Sequence, residues 1–166
     1  MMMLNGTELK ASIVLQAMVA GLLKSKNDTG FVVDMSSFGC VKNQLCYGCA
    51  ATLTLTEMFG NGKSASEIML SNVKAQADSL EVVPVYLSAF IQSEPSSTQD
   101  SLPIDLTQLE QAVDYARIGA VSSLIELLTG EFNNSFNHRW YLDSDNWEEK
   151  LPVVKATIAE MIAAGY

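Results

Sequence analysis

The chain is poor in charged residues, in positive charge and in histidine. Charged residues make up 17% of its 166 residues, below the roughly 25% of ordinary soluble domains. Only ten Lys and Arg side chains oppose nineteen Asp and Glu, so the net charge is −9. A surface of that sign disfavours nucleic acid and anionic membranes. We therefore predict neither as a partner.

Long hydrophobic runs and cofactor motifs are also missing. The most apolar run covers residues 11–23 and is too short to cross a bilayer. Lys24 and Lys26 follow this run instead of preceding it, which is unlike a signal peptide. We predict a core helix here and a cytoplasmic protein. The chain has no P-loop, dinucleotide glycine motif or HExxH, so no cofactor is predicted.

The negative charge is concentrated in the second half of the chain. Up to residue 93 there are seven acidic and six basic residues, whereas residues 94–166 hold twelve and four. An acidic half steers a basic protein partner by long-range attraction. The alternative is that the acidic surface only keeps the protein soluble.

Periodicity and capping signals predict an all-α fold, a single-domain bundle of five to six helices over residues 1–166. Thr52, Thr54 and Thr56 alternate with leucines as in a strand, but the flanking residues favour a helix. The predicted helices are 8–25, a second from between 43 and 46 to 60, 64–80 (opened by a Ser64–Glu67 capping box), 106–129 and 148–164. An internal loop is predicted at 93–104 and a long polar, aromatic loop at 131–146. Residues 31–35 and 82–88 are predicted to pair as a minor two-stranded element if they are extended.

All three cysteines, Cys40, Cys46 and Cys49, lie within ten positions. An odd number excludes a fully paired disulfide scaffold. Cys46 and Cys49 form a CxxC, and a helix amino terminus at the first thiol would favour the thiolate that dithiol exchange needs. This makes a thiol–disulfide redox protein one alternative function. Another interpretation is that the thiols are small buried hydrophobes.

The cysteines and the single histidine also offer a Cys₃His zinc set. Two residues separate Cys46 from Cys49, a usual ligand spacing, but five separate Cys40 from Cys46 and no second ligand pair follows. The fourth ligand would be His138. Because the spacing is unusual and the second ligand pair is missing, we predict no metal.

The stretch Asn43–Ala51 (NQLCYGCAA) locally resembles the nucleophile region of papain-like cysteine peptidases. The resemblance implies Cys49 as nucleophile, Gln44 as oxyanion donor, His138 as base and Asp143 as the group that orients it, with Asp145 and Asn146 as further candidates. Gln44 lies one residue closer to Cys49 than in that family. A cysteine-dependent hydrolase or acyl transferase is therefore an alternative function.

Residues 131–147 carry five aromatic side chains in a polar stretch. Trp, Tyr and Arg are common anchors of protein interfaces. Our leading hypothesis is a small acidic protein-interaction domain, of a regulatory, inhibitor or immunity-like kind, that binds a basic protein partner; homo-oligomers are possible. The predicted partner-binding residues are Phe136, Arg139, Trp140, Tyr141, Asp143, Asp145 and Trp147. Alternatively, these rings fold back on the end of the bundle.

Overall fold

The computed structural model describes residues 3–4, 6–91, 106–116, 121–130 and 141–166. These ranges form a mixed α/β fold, so the all-α prediction is wrong. The α-helices are α1 (Ala11–Ser25), α2 (Ala50–Phe59), α3 (Ala65–Val73), α4 (Leu106–Ala116), α5 (Val121–Thr129) and α6 (Trp147–Ala163). The strands are β1 (Met3–Leu4), β2 (Thr7–Glu8), β3 (Phe31–Val33), β4 (Gly39–Lys42), β5 (Leu45–Gly48) and β6 (Val83–Pro84). Short 3₁₀ helices cover Lys74–Asp78 and Leu87–Ala89.

A tight β-hairpin explains much of why the all-α prediction is wrong. Asn43 and Gln44 adopt φ angles of 48° and 63° and connect β4 to β5 in a two-residue turn. Two successive positive φ angles are typical of the turn type that matches the twist of paired strands. The second predicted helix therefore begins only at Ala50, after the hairpin.

Strands β1 and β2 form a two-stranded sheet, and the other four strands form a second sheet in the order β3-β5-β4-β6. β3 runs parallel to β5, with Phe31 opposite Cys46, while β4 is antiparallel to both β5 and β6. The predicted pairing of 31–35 with 82–88 is therefore wrong. Both segments contribute strands, but these lie at opposite edges of the sheet because the hairpin inserts between them.

The first helix is the core helix that the apolar run predicted. Val14, Leu15, Met18 and Leu22 of α1 are fully buried, and α1 packs on α2 and α6. α3 lies against the inner face of the sheet, where the Cys46 thiol donates to the Ser66 carbonyl at 3.8 Å.

The threonines of α2 are buried inside a helix, as the flanking residues indicate. The Thr54 hydroxyl donates to the Ala50 carbonyl at 2.7 Å, and the Thr56 hydroxyl donates to the Thr52 carbonyl at 2.9 Å. A hydroxyl bonded to the preceding turn needs no external partner. The alternation of Thr and Leu here therefore reflects burial on all sides of the helix.

Other helix boundaries agree in part with the sequence. The Ser64 hydroxyl accepts from the Glu67 N–H at 3.2 Å, which confirms that residue as the cap of α3, but α3 ends at Val73 and a 3₁₀ helix continues the chain. The predicted helix 106–129 contains α4 and α5, and residues 117–120 between them lie outside the described ranges. The predicted loop 93–104 lies wholly outside them as well.

Candidate functional site

The three thiols occupy different environments. Cys40 is half-buried on β4, Cys46 lies on the inner face of β5, and Cys49 immediately precedes α2. Cys46 and Cys49 are both 0% exposed. The first cysteine of the CxxC is therefore in a strand instead of at a helix amino terminus.

Cys46 is held as a neutral thiol. Burial, followed by the negative charges at Asp28 and Cys40, raises the pKa of Cys46 from 9.0 to about 11. Dithiol exchange needs the opposite shift in the attacking cysteine. The Cys46 environment is that of a core residue.

This shift predicts a loss of stability at alkaline pH. Above the unfolded pKa of 9.0 the unfolded chain releases the Cys46 proton while the native protein keeps it, up to about 11. The free energy of unfolding should therefore fall by about 2 kcal/mol between these values. Guanidinium unfolding at several pH values measures it. In Cys46→Ala the free energy of unfolding should fall less over the same pH range. If this variant has the same pH dependence as the wild type, the fall does not come from Cys46.

Cys49, the nucleophile that the peptidase resemblance implies, lies at the amino end of α2. Its Sγ lies 3.6 Å from the Thr52 hydroxyl oxygen. The Thr52 hydroxyl donates its own hydrogen to the Phe38 carbonyl. The Thr52 hydroxyl oxygen is therefore the acceptor of this contact, and the Cys49 sulfur is enclosed in this conformation.

Gln44, the implied oxyanion donor, does not lie beside Cys49. Gln44 lies in the hairpin turn, where its amide donates to the Asp78 carboxylate. The four residues of β5 separate it from Cys49, a span of about 16 Å in an extended strand. Asp143 lies in the turn before α6, and His138 is outside the described residues. The structure thus does not bring Gln44 to Cys49.

A metal site is not formed in the described part of the chain. Within residues 3–4, 6–91, 106–116, 121–130 and 141–166, no three His, Cys, Asp or Glu side chains are grouped so as to hold an ion. The proposed fourth zinc ligand, His138, is not among these residues.

The predicted partner-binding residues separate into three groups. Tyr141 is 55% exposed, and Asp143 and Asp145 are exposed beside it. Trp147 is buried in the core, so its ring is not available to a partner in this conformation. Phe136, Arg139 and Trp140 lie outside the described residues.

The exposed residues are part of a stretch that we call the acidic segment, residues 141–149. Its exposed side chains are Tyr141, Asp143, Asp145, Glu148 and Glu149. The sequence analysis did not include Glu148 and Glu149 among the partner-binding residues, although the sequence has a run of acidic residues before Lys150. Glu148 pairs with Lys26 at 2.8 Å. With one of its four carboxylates paired in this way, the segment keeps a clear excess of negative charge.

Hydrogen bonds hold the acidic segment in one conformation. The Asp143 N–H donates to the Asn146 side-chain oxygen at 2.6 Å, and the Met35 N–H donates to the Ser144 hydroxyl at 3.0 Å. Below the segment, the Lys26 ammonium lies 5.4 Å from the centre of the Trp147 ring. These contacts connect the segment to α1 and to the end of β3.

A polar cavity of about 320 Å³ lies between the ends of α1 and α2 and the start of α3. Most of its polar groups already have partners. Lys24 pairs with Glu57 at 2.5 Å, and the Asp28 carboxylate accepts from the Ser66 N–H and hydroxyl. The cavity therefore offers a ligand little beyond the ammonium of Lys63. Sequence reasoning missed the contact of Asp28 with Ser66 because 38 positions separate the two residues.

None of the helices in the described ranges has the length and hydropathy of a membrane span. No protein-family model, no curated protein and no solved structure matches this chain.

Proposed function

We propose that this protein is a small acidic protein-interaction domain whose acidic segment contacts a basic protein partner. The observation that carries the proposal is the exposed set of four carboxylates and one tyrosine over residues 141–149. Carboxylates so close together raise the local negative potential and the rate of encounter with a basic surface. Tyr141 adds the amphipathic ring that interfaces favour.

Rigidity supports the same proposal. The turn bonds of Asp143 and Ser144 and the buried Trp147 fix the backbone beneath the exposed acids. A surface that is ordered before binding loses less entropy when the partner arrives. Asp145 and Glu149 have no ion pair or side-chain hydrogen bond within the described chain, so both carboxylates are free to meet basic side chains.

Charge reversal on the acidic segment tests the proposal. The probe is a fluorescent decalysine peptide, and fluorescence anisotropy measures its affinity at low and at moderate NaCl. Asp145→Lys with Glu149→Lys should weaken binding by about tenfold or more, because attraction is replaced by repulsion at the contact. Salt should weaken binding to the wild type in parallel.

A control variant distinguishes binding at the acidic segment from a general effect of the protein's net charge. Glu110→Lys with Glu126→Lys makes the same charge change at exposed positions on α4 and α5. This control should weaken binding by less than about threefold, since distant charges are screened. Equal losses in the two double variants would show that decalysine senses only the total charge, and the proposal would fail.

A cysteine-dependent hydrolase is the second candidate, and one observation favours it. Cys49 lies at the amino end of α2, where the helix dipole stabilises a thiolate. This candidate requires Cys49 to become accessible and to react as a thiolate below the ordinary thiol pKa. Labelling of the native protein with iodoacetamide, resolved by site, tests that requirement.

A further inference from the structure

One edge of the four-stranded sheet keeps unpaired backbone groups. Strand β3 pairs with β5 alone, and both the Gly30 carbonyl and the Asp34 N–H are bonded to β5. Successive residues of a strand direct their backbone groups to opposite sides. Phe31 and Val33 therefore direct their N–H and C=O groups to the free side of β3, which we call the β3 edge.

Other parts of the chain close the two ends of the β3 edge. The Phe31 N–H is bonded at 3.1 Å within the turn before the strand. The next N–H on this side after Val33 is that of Met35, and it donates to the Ser144 hydroxyl at 3.0 Å. Between these ends, the Phe31 C=O and both backbone groups of Val33 have no hydrogen bond within the described residues. One donor and two acceptors in a row match the backbone of one added extended segment.

The opposite edge of the sheet is guarded. Val83 pairs with Val41, and the Val85 N–H donates to the Gly39 carbonyl at 3.0 Å. Pro84 therefore lies on the free side of β6, and proline has no N–H to offer an added strand. Proline is a usual guard of edge strands, and no proline lies in β3.

The acidic segment lies directly beside the β3 edge. The bond from Met35 to Ser144 joins the two, and Ser144 stands between the exposed Asp143 and Asp145 in the chain. Val32, beside the open backbone groups, is 40% exposed. A chain segment laid on the β3 edge therefore meets backbone partners along β3 and carboxylates at its Met35 end.

We propose that the basic partner adds an extended segment to the β3 edge, with its basic side chains against the acidic segment. This inference rests on the proposed function and specifies the conformation that the partner adopts. Backbone hydrogen bonds supply affinity in such strand addition, and the neighbouring carboxylates favour basic sequences over acidic ones.

Hydrogen exchange of single amides, followed by NMR with and without saturating decalysine, tests the proposal. The Val33 N–H should exchange at least about tenfold more slowly in the complex, because it gains a hydrogen bond there. The Val32 N–H is the control, since it already pairs with β5 and should exchange slowly in both states. Unchanged exchange at Val33 in the saturated complex would overturn the proposal.

A decalysine whose backbone amides are all N-methylated separates strand addition from charge attraction. It keeps every positive charge but has no N–H for the Phe31 and Val33 carbonyls. Its dissociation constant should be at least about fivefold larger than that of decalysine. If the two peptides bind equally while Asp145→Lys with Glu149→Lys still weakens decalysine binding, the inference fails and the proposed function stands. If that charge reversal has no effect, the proposed function itself fails.

Val33→Pro removes the open donor from the protein. This N–H is not used in the pairing with β5, and edge strands tolerate proline, so the sheet should persist. Decalysine binding should weaken by about threefold or more. Val33→Ala, the control, shortens the side chain but keeps the N–H and should stay within about twofold of the wild type. Equal dissociation constants for the two folded variants would contradict strand addition, and if Val33→Pro does not fold, the exchange and N-methylation experiments decide.

Discussion

Iodoacetamide should modify Cys40 in the native protein about 1000-fold faster than Cys46 or Cys49. Cys40 is half-buried on β4, whereas the other two thiols are 0% exposed. A fully enclosed thiol reacts only when the structure opens, and openings of a core region cost about 4 kcal/mol or more. The raised pKa of Cys46, at about 11, further lowers its thiolate fraction.

Mass spectrometry of the labelled sites measures this prediction. Unfolded protein in guanidinium is the control, and all three thiols should react there at similar rates. Cys49 reacting first, and below the ordinary thiol pKa of about 8.5, would contradict its role as a core residue. That result would favour the hydrolase candidate.

Replacing Gly21 with a larger residue should destabilise the protein strongly. A Cβ atom at Gly21 of α1 would lie 2.7 Å from the carbonyl oxygen of Leu53 in α2. Backbone atoms cannot rotate away, so the two helices must separate. Gly21→Val should lower the free energy of unfolding by about 3 kcal/mol or more, as measured by guanidinium unfolding.

Ala20→Val is the matched control for Gly21→Val. Ala20 is half-buried on the same helix and lines the shallow groove between α1 and α6. The variant Ala20→Val introduces the same β-branched side chain into the same helix, at a propensity cost below about 1 kcal/mol, without the backbone clash. Equal unfolding free energies for the two variants would show that α1 and α2 are not packed this closely.

Local signals in the sequence predicted the helical part of this fold. The apolar run of α1 and the Ser64–Glu67 capping box each depend on residues a few positions apart. The hairpin could not be predicted in the same way, because Asn43-Gln44 is not a strong turn pair and the strands it joins have only four residues each. The parallel pairing of β3 with β5 spans that hairpin, and no local pattern encodes it.

The candidate site was predictable to a similar extent. The predicted second helix began between 43 and 46, which put Cys49 inside it, whereas the structure has Cys49 directly before α2. The sequence identified Tyr141, Asp143 and Asp145 as partner-binding candidates, and all three are exposed in the structure. It could not show that Trp147 packs inward under Lys26, because these residues meet only in the folded chain. Thr52, the acceptor of the Cys49 thiol, was likewise predicted only as a helix residue.

Mapping the decalysine contact by NMR tests the proposed function most directly. In a titration of isotope-labelled protein, the amides of residues 141–149 should shift most, and the shifts should disappear when NaCl is raised, because the contact is electrostatic. Shifts spread evenly over exposed acids elsewhere, such as Glu67, Glu110 and Glu126, would contradict the proposal. So would shifts that persist at high salt.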